Sequence, residues 1–273
     1  MELKSTRFDV SDGIATITLH RPARMNAWTG RMHTEYRHLV ARAESDPHVR
    51  VLVVTGSGRA FCAGADTQAL EGHVSKGGYD PGTPVRMARP GYGVRPEFDA
   101  FFAWHFGLTK PVIAAINGPA AGVGFALACY ADLRFAATGA KFTTAHGRLN
   151  LPAEYGLSWL LPRMIGLTRA NDLLLSSRKF LAEEALSMGL LNAVLPPDRL
   201  MDHVRAYAAD LIRNIAPDSL TATRRQVYTD LHRSAAEAVV DSEARLERMM
   251  RAPDFAEGVA ALVEKRPPRW KHD

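Results

Sequence analysis

The sequence predicts an α/β fold followed by a helical C-terminal region, on three grounds. Two apolar runs, at residues 51–55 and 112–116, are too short for helices and are bounded by Gly or Pro, which is typical of buried strands. The succession of strand, turn and helix recurs along the chain. From Pro197 onward, apolar residues recur at spacings of three and four, which is typical of amphipathic helices. With 273 residues, the chain can bury a large core as one domain.

The first elements predicted are a hairpin and a helix. Residues 8–10 and 14–19 alternate in polarity around Asp12-Gly13, which predicts two antiparallel strands joined by a tight turn. Residues 29–44 predict a helix that is entered through a polar cap.

Each of the two buried runs is followed by a turn of small residues. These turns are GSGRAFCAGAD at residues 56–66 and NGPAAGVG at 117–124. Gly122 and Gly124 would let the backbone approach a ligand closely, and a helix beginning near Val123 leaves its first amides without intrahelical partners. Such a terminus attracts negative charge. We therefore expect the two turns to hold one oxygen from two sides.

The later elements are a loop-like segment and a series of helices. Residues 72–96 are rich in Gly, Pro, Ser and Tyr without periodicity, which predicts a mobile surface segment acting as a lid or pocket wall. One helical face is predicted to carry Leu200, Val204, Ala208, Leu211 and Ile215. Asp218-Ser219 is predicted to cap the next helix. Phe255, Val259 and Leu262 mark a last helix that ends before Pro267-Pro268.

The composition favours a cytoplasmic enzyme. No apolar run reaches the ~18 residues that span a bilayer, and the N-terminus lacks a signal-peptide pattern. The net charge of +5 is scattered along the chain, without the aromatic and basic stripe that would stack single-stranded bases, so nucleic acid is not the expected partner. Cys62 and Cys129 lack metal-ligand spacing and are predicted to be buried free thiols.

Four motifs resemble the enoyl-CoA hydratase/isomerase, or crotonase, superfamily. They are HRPARMNAW at residues 20–28, AFCAGAD at 60–66, KPVIAAINGPAAGVG at 110–124 and VEKRPPRW at 263–270. They occur in the family's order and span nearly the whole chain. The resemblance implies a crotonase fold of repeated ββα units, with a core over residues 1–197 and a helical trimerisation and capping region over 198–273. It also implies a homotrimer or a dimer of trimers.

The same resemblance implies an acyl-CoA thioester as substrate, with no metal and no cofactor beyond the CoA that the substrate carries. The oxyanion hole would consist of the backbone N–H groups of Ala65 and Val123, which require no particular side chain. Substrate and CoA contacts would come from Ala63, Ala65, Asp66 and Gly122, and from Arg24, whose guanidinium can pair with phosphate. Alternatively, Arg24 is a solvated surface charge.

The candidate acid and base residues depart from the best-known hydratases of this family. Those enzymes carry one glutamate shortly after the second oxyanion glycine and another further along the chain. Here Ala126 and His146 occupy those positions. Glu154, in the sequence PAEYG, resembles the catalytic glutamate of one group of Δ3,Δ2-enoyl-CoA isomerases, and apolar neighbours would raise its pKa toward that of a useful base. Alternatively, Glu154 only stabilises a helix start and His146 is a core histidine.

Three functions remain open from the sequence. One carboxylate suffices for isomerisation, because it can take a proton from C2 and return it to C4. Hydration needs a second group, and His146 could share the work with Glu154. The primary prediction is an enoyl-CoA hydratase of the kind used in fatty-acid β-oxidation, with the Δ3,Δ2-enoyl-CoA isomerase as the alternative. A catalytically degenerate homologue that binds acyl-CoA or RNA is the third possibility.

Overall fold

The computed structural model describes residues 1–68, 71 and 98–271, and its architecture is a six-stranded sheet, a smaller sheet and a set of helices. The predicted lid, residues 72–96, lies outside the described residues. The strands are β1 (Thr6–Ser11), β2 (Ile14–Leu19), β3 (Val51–Gly56), β4 (Val112–Ile116), β5 (Ala120–Ala121), β6 (Leu133–Ala137), β7 (Lys141–Thr143), β8 (Phe180–Leu181) and β9 (Ala193–Leu195). The α-helices are α1 (Gly30–Ser45), α2 (Val123–Cys129), α3 (Leu157–Ile165), α4 (Leu167–Ser176), α5 (Ala182–Ser187), α6 (Leu200–Asn214), α7 (Pro217–Asp230), α8 (Ala235–Met249) and α9 (Pro253–Glu264).

The main sheet has the strand order β1-β2-β3-β4-β6-β9. Only β1 pairs antiparallel with its neighbour, and the other pairings are parallel. The carboxyl ends of parallel neighbours lie at the same edge of a sheet. The turns that follow β3 and β4 therefore leave the sheet side by side.

The smaller sheet joins these two turns. It has the order β5-β7-β8, and β5 follows β4 directly. A single-residue bridge pairs Cys62 with Ala120, and another pairs Trp28 with Ala65. The turn after β3 is thus fixed between the segment before α1 and the segment before α2.

The core lies on both faces of the main sheet. Leu52 and Val54 belong to the larger cluster of buried side chains, whereas Val51 and Val53 point into a second cluster that includes Leu200 of α6. A strand that is covered on both faces has no polar face, which explains why residues 51–55 form a nearly continuous apolar run.

The structure confirms most of the predicted elements. The hairpin register pairs Ser11 with Ile14, and Asp12 and Gly13 between them both have positive φ angles, 52° and 77°. Such angles are what a two-residue turn of type I′ requires. The side chain of Thr29 caps α1 by accepting a hydrogen bond of 3.1 Å from the Met32 N–H.

Two predictions for the C-terminal helices are wrong in detail. Asp218-Ser219 does not cap α7, because the helix already begins at Pro217 with Ala216 as its N-cap. Proline is well suited to a first helical position, since it lacks the N–H that would stay unpaired there. Ile215 does not continue the face of α6, since it lies after the end of the helix in extended backbone and is exposed.

Helix α8 was not predicted. A reciprocal capping box starts it, in which the Ser234 side chain and the Glu237 side chain each bond the other residue's backbone N–H. Buried polar contacts hold the C-terminal helices to the core, notably the ion pair of 2.9 Å between Arg224 of α7 and Asp132. The division into two domains at residue 197 stays a prediction. Across the described ranges, none of the helices combines the length and apolarity needed to cross a bilayer.

Candidate active site

The two predicted oxyanion turns lie against each other and are joined by backbone hydrogen bonds. The Cys62 N–H donates to the Pro119 carbonyl at 3.1 Å, and the Ala121 N–H donates to the Cys62 carbonyl at 3.0 Å. Neither bond depends on a side chain. The relative position of the turns is therefore fixed by the main chain itself.

Gly124 in the second turn serves this contact. A Cβ at Gly124 would lie 2.6 Å from the Cys62 Cβ and closer still to the Cys62 carbonyl oxygen. Gly124 therefore lets the start of α2 approach the first turn, a role that was not predicted. Gly122 adopts φ 48° and ψ −118°, a conformation that glycine tolerates best.

The backbone N–H of Ala65 points away from its neighbouring strand. In the bridge with Trp28, the Trp28 N–H donates to Gly64 at 2.8 Å and the Asp66 N–H donates to Trp28 at 3.0 Å. A residue at the centre of a parallel bridge directs its own N–H to the opposite side. Within the described part of the chain, the Ala65 N–H has no acceptor, and the residue is exposed.

The N–H of Val123 is also without an acceptor among residues 1–68, 71 and 98–271. Val123 is the first residue of α2, and no side chain caps this helix start. The Gly122 N–H just before it is occupied by the Thr143 carbonyl at 3.1 Å. The two amides nominated above thus lie on adjoining turns, and neither donates to an acceptor in the described structure.

The segment before α1 braces the first turn. The side chain of Asn26, fully buried, donates to the carbonyls of Ser57 and Ala60 at 2.9 and 2.7 Å. Arg21 forms an ion pair of 2.8 Å with Asp66. The Asp66 carboxylate, predicted to contact substrate, is buried and engaged by Arg21. Sequence reasoning missed this pairing, because 45 positions separate the two residues.

The other predicted binding residues are accessible. Ala63 is exposed, and its N–H is bonded to the Met25 carbonyl at 3.1 Å. Arg24 ends a short 3-10 turn at Pro22–Arg24 and is also exposed. Their contacts with CoA stay predictions.

Glu154 begins a tight turn that leads into α3. Tyr155 and Gly156, which follow it, have φ angles of 54° and 70°, and this left-handed pair reverses the chain. The Tyr130 hydroxyl holds the turn by donating to the Tyr155 carbonyl at 2.6 Å. Glu154 is half-buried, and burial raises the pKa of its carboxyl, while the nearby His146 partly opposes that rise.

His146 is the buried neighbour of Glu154. Its side chain lies in a short 3-10 turn, His146–Leu149, which Ala145 enters with a φ of 63°. The residue is 5% exposed, and its Nδ1 is buried without a hydrogen-bond partner in the described structure. Ala126, at the position of the other family glutamate, is fully buried in the core.

The cysteines are buried, as predicted. Burial raises the pKa of both the Cys62 and the Cys129 thiols to about 12, so neither is a ready nucleophile. No cluster of three metal-ligating side chains occurs in the described ranges.

Sequence reasoning also missed an aromatic cavity beside the Glu154 turn. Its volume is about 370 Å³, and Tyr155 and Gly156 form part of its wall. No local pattern signals it, because its lining residues come from separate segments between residues 98 and 232.

Comparison with known proteins supports the resemblance. The family model described as "Enoyl-CoA hydratase/isomerase" matches residues 9–273. A protein of Rhodobacter capsulatus named "Probable enoyl-CoA hydratase" is 36% identical, with 99% of each chain covered. The "1,2-epoxyphenylacetyl-CoA isomerase" of Escherichia coli K12 is 33% identical, with 96% of each chain covered.

The fold agrees as well. The crystal structure of a probable enoyl-CoA hydratase/isomerase from Mycobacterium abscessus superposes with a TM-score of 0.85 at 32% identity, covering 97% of this chain and 98% of that one. Family model, relatives and solved structure thus agree over nearly the full length. This chain belongs to the enoyl-CoA hydratase/isomerase family and has the crotonase fold.

Proposed function

We propose that this protein hydrates 2-enoyl-CoA thioesters. The observation that carries the proposal is the pair of backbone N–H groups, of Ala65 and Val123, that lie on adjoining turns without acceptors in the described structure. Fixed donors of this kind stabilise the negative charge that develops on a thioester oxygen. Removing one such donor costs enzymes about 10²–10³ in kcat.

Glu154 and His146 divide the proton transfers in this proposal. The carboxylate of Glu154 accepts a proton from the water that adds to C3, and the electron pair of the double bond moves to the thioester oxygen as an enolate. The protonated Glu154 then delivers this proton to C2, and His146 orients the water or relays the proton. The raised pKa of Glu154 supports its role as a base, because a buried carboxylate holds a proton more tightly than one in water.

Isomerisation of a 3-enoyl-CoA is the second candidate. It is favoured by Ala126, whose small buried side chain replaces one family glutamate and leaves Glu154 as the carboxylate nominated for the site. The relatives also include an isomerase, although its name gives an epoxide as the substrate. Here Glu154 would take a proton from C2 and return it to C4.

CoA binding is assigned to the backbone near Ala63 and Ala65, with Arg24 contacting a phosphate. The exposure of all three residues supports this. Replacing Arg24 by Ala should weaken the affinity for free CoA, and more so at low salt, because screening reduces charge interactions. An unchanged affinity at both salt concentrations would remove Arg24 from the site.

We further propose a trimer or a dimer of trimers located in the cytoplasm. The C-terminal helices support an assembly, since they line an apolar cavity of about 570 Å³ and expose side chains such as Leu246, Phe255 and Leu262. Exposed apolar patches of this kind mark interaction surfaces. Light scattering at micromolar concentration tests the proposal, and a monomer would contradict it.

The deciding experiment offers the purified protein two substrates, a trans-2-enoyl-CoA and a 3-enoyl-CoA, with equal chain lengths. Hydration is followed by loss of the conjugated thioester absorbance, and isomerisation by its gain. Turnover of the first substrate alone supports a hydratase, and turnover of the second alone supports the isomerase. Tight binding of both without turnover would identify a degenerate member of the family.

A further inference from the structure

The cavity beside the Glu154 turn has walls of unusual composition. Seven of its ten lining residues carry an aromatic or imidazole ring, and the other three are Ala or Gly. Among the described residues, the wall therefore contains no aliphatic side chain larger than a methyl group. Cavities of this size usually combine aliphatic and aromatic side chains, so a wall whose large side chains all carry rings favours particular ligands.

The cavity lies at the far end of α2 from the oxyanion amide. Val123 begins α2, and Tyr130, which lines the cavity, directly follows its last residue. Seven helical residues span about 10 Å. Glu154 adjoins the wall residue Tyr155, and adjacent Cα atoms are about 3.8 Å apart. The cavity therefore lies within the length of an acyl chain from the Val123 N–H, and Glu154 adjoins its wall.

The rings of the wall hold one another in place. The Phe101 and Tyr155 rings are 5.2 Å apart between centroids. The Trp159 ring stacks on His232 at 5.6 Å with an interplanar angle of 10°, and the Arg163 guanidinium lies 4.2 Å from the Trp159 centroid. A wall that is already packed offers ring faces and edges at fixed positions. An aromatic ligand can use these positions, whereas a flexible alkyl chain gains only from burial.

We infer that the acyl group handled by this site ends in an aromatic ring, which the cavity receives. The inference rests on the proposed function, because it takes the oxyanion amides and Glu154 as the site of the thioester. It narrows the substrate class from enoyl-CoA thioesters in general to those with an aryl-terminated acyl chain. Aromatic pairs contribute beyond the apolar area they bury, and this contribution separates an aryl from a cyclohexyl group of the same shape.

The test measures binding with saturated thioesters, which the enzyme cannot hydrate or isomerise. Calorimetry compares 5-phenylpentanoyl-CoA, 5-cyclohexylpentanoyl-CoA and octanoyl-CoA on the full-length protein. Cyclohexyl exposes more apolar surface than phenyl, so burial alone would favour the cyclohexyl ligand. We expect the phenyl ligand to bind roughly threefold to tenfold more tightly, since ring pairs add to its affinity.

Variants of the cavity wall test whether the preference for the phenyl ligand arises there. Trp159→Leu and Phe101→Leu each replace a ring of the wall by an aliphatic group, and each should bring the phenyl and cyclohexyl affinities within about twofold of each other. Tyr207→Leu is the matched control. Tyr207 lies on α6 and packs on Phe135, in the core cluster on the opposite face of the main sheet. This variant should keep the preference of the wild type.

The outcomes separate the inference from the proposed function. If none of the three thioesters binds, the acyl-CoA site itself is refuted. If all three bind but the cyclohexyl or octanoyl ligand binds at least as tightly as the phenyl ligand, the aromatic preference is overturned and the acyl-CoA site stands. A preference that survives both Trp159→Leu and Phe101→Leu would place the ring elsewhere and would also overturn the inference.

Discussion

The oxyanion turns and the Glu154 turn both present polar groups to the same proposed substrate, but they are built differently. In the oxyanion turns, backbone bonds fix backbone donors, and a Cβ at Gly124 would meet the Cys62 backbone. In the Glu154 turn, a left-handed Tyr155 and the Tyr130 hydroxyl position a side chain. In the proposed reaction the backbone part depends on no particular side chain at Ala65 or Val123, so we expect it to tolerate changes there, whereas the chemistry of the other part depends on one carboxyl. Charge stabilisation and reaction type can therefore vary independently.

The substitution Val123→Pro removes one of the two backbone donors and should have the largest effect on activity. Proline is compatible with the first turn of a helix but lacks the N–H. We expect kcat to fall by about 10²–10³, as for the loss of one oxyanion donor. Val123→Ala keeps the N–H and should retain activity within a few fold. Equal activity in the two variants would show that this amide does not serve the reaction.

Replacing the Glu154 carboxyl by an amide removes the proposed base. Glu154→Gln keeps shape and hydrogen bonding but abolishes basicity, so turnover should fall by about 10² or more. Affinity for a saturated acyl-CoA, measured by calorimetry, should survive because the oxyanion amides are untouched. Full activity in this variant would exclude Glu154 as the base.

Adding one methyl group at the contact between the two turns should lower the free energy of unfolding. Gly124→Ala places a Cβ against the Cys62 backbone, and such overpacking typically costs about 1–3 kcal/mol of unfolding free energy. Gly258→Ala is the control. Gly258 lies within α9, and its added Cβ would meet the Trp270 ring at an ordinary contact distance of 3.6 Å. This substitution should raise the free energy of unfolding, because alanine favours a helix interior more than glycine does. Denaturant unfolding measures both variants. Equal stability changes of the same sign would contradict the close contact.

The smallest expected effect is a displacement of the pH profile. The base must be ionised, and burial raises the pKa of Glu154, so kcat/KM should decline on acidification at a higher pH than for an ordinary glutamate. His146 opposes the rise in that pKa. His146→Ala should therefore move the acid limb to still higher pH. His203→Ala, on α6, should leave the limb in place, and an identical shift in both variants would exclude a specific effect of His146.

The variant His146→Ala also distinguishes hydration from isomerisation. If His146 is the second group of a hydratase, His146→Ala should lower hydration strongly and leave any isomerisation intact. If neither rate changes, His146 is a structural residue, and its buried Nδ1 without a hydrogen-bond partner has no part in the reaction.

The two parts of the site also differ in how well the sequence predicts them. The bounds of β4 and the start of α2 agree with the prediction, because a strand buried on both faces and a Gly-rich turn leave local signals. The same signals indicate two donor-bearing turns, but Ala65 and Val123 themselves could be nominated only because the motifs AFCAGAD and NGPAAGVG resemble those of the family. The role of Gly124 could not be predicted, since the Cys62 backbone that it contacts is distant in sequence.

The surroundings of Glu154 depend on tertiary contacts and were only partly predictable. Burial, and hence the direction of the pKa shift, could be anticipated from apolar neighbours in the sequence. The aromatic cavity could not, because Phe101, Tyr130 and Trp159 meet only after folding. Helix α8 left a weak signal as well, since several of its apolar residues, such as Val240 and Leu246, are exposed in the single chain.

The burial of Cys62 makes its thiol a probe of local opening at the two turns. The thiol is fully buried beside the joint between the oxyanion turns, with a pKa of about 12, so a thiol reagent meets neither an accessible sulfur nor a thiolate in the closed state. Modification has to wait for the first turn to lift away from Pro119 and Ala121. The labelling rate of Cys62, followed by mass spectrometry, thus reports how often these two turns separate, whether by local opening or by global unfolding.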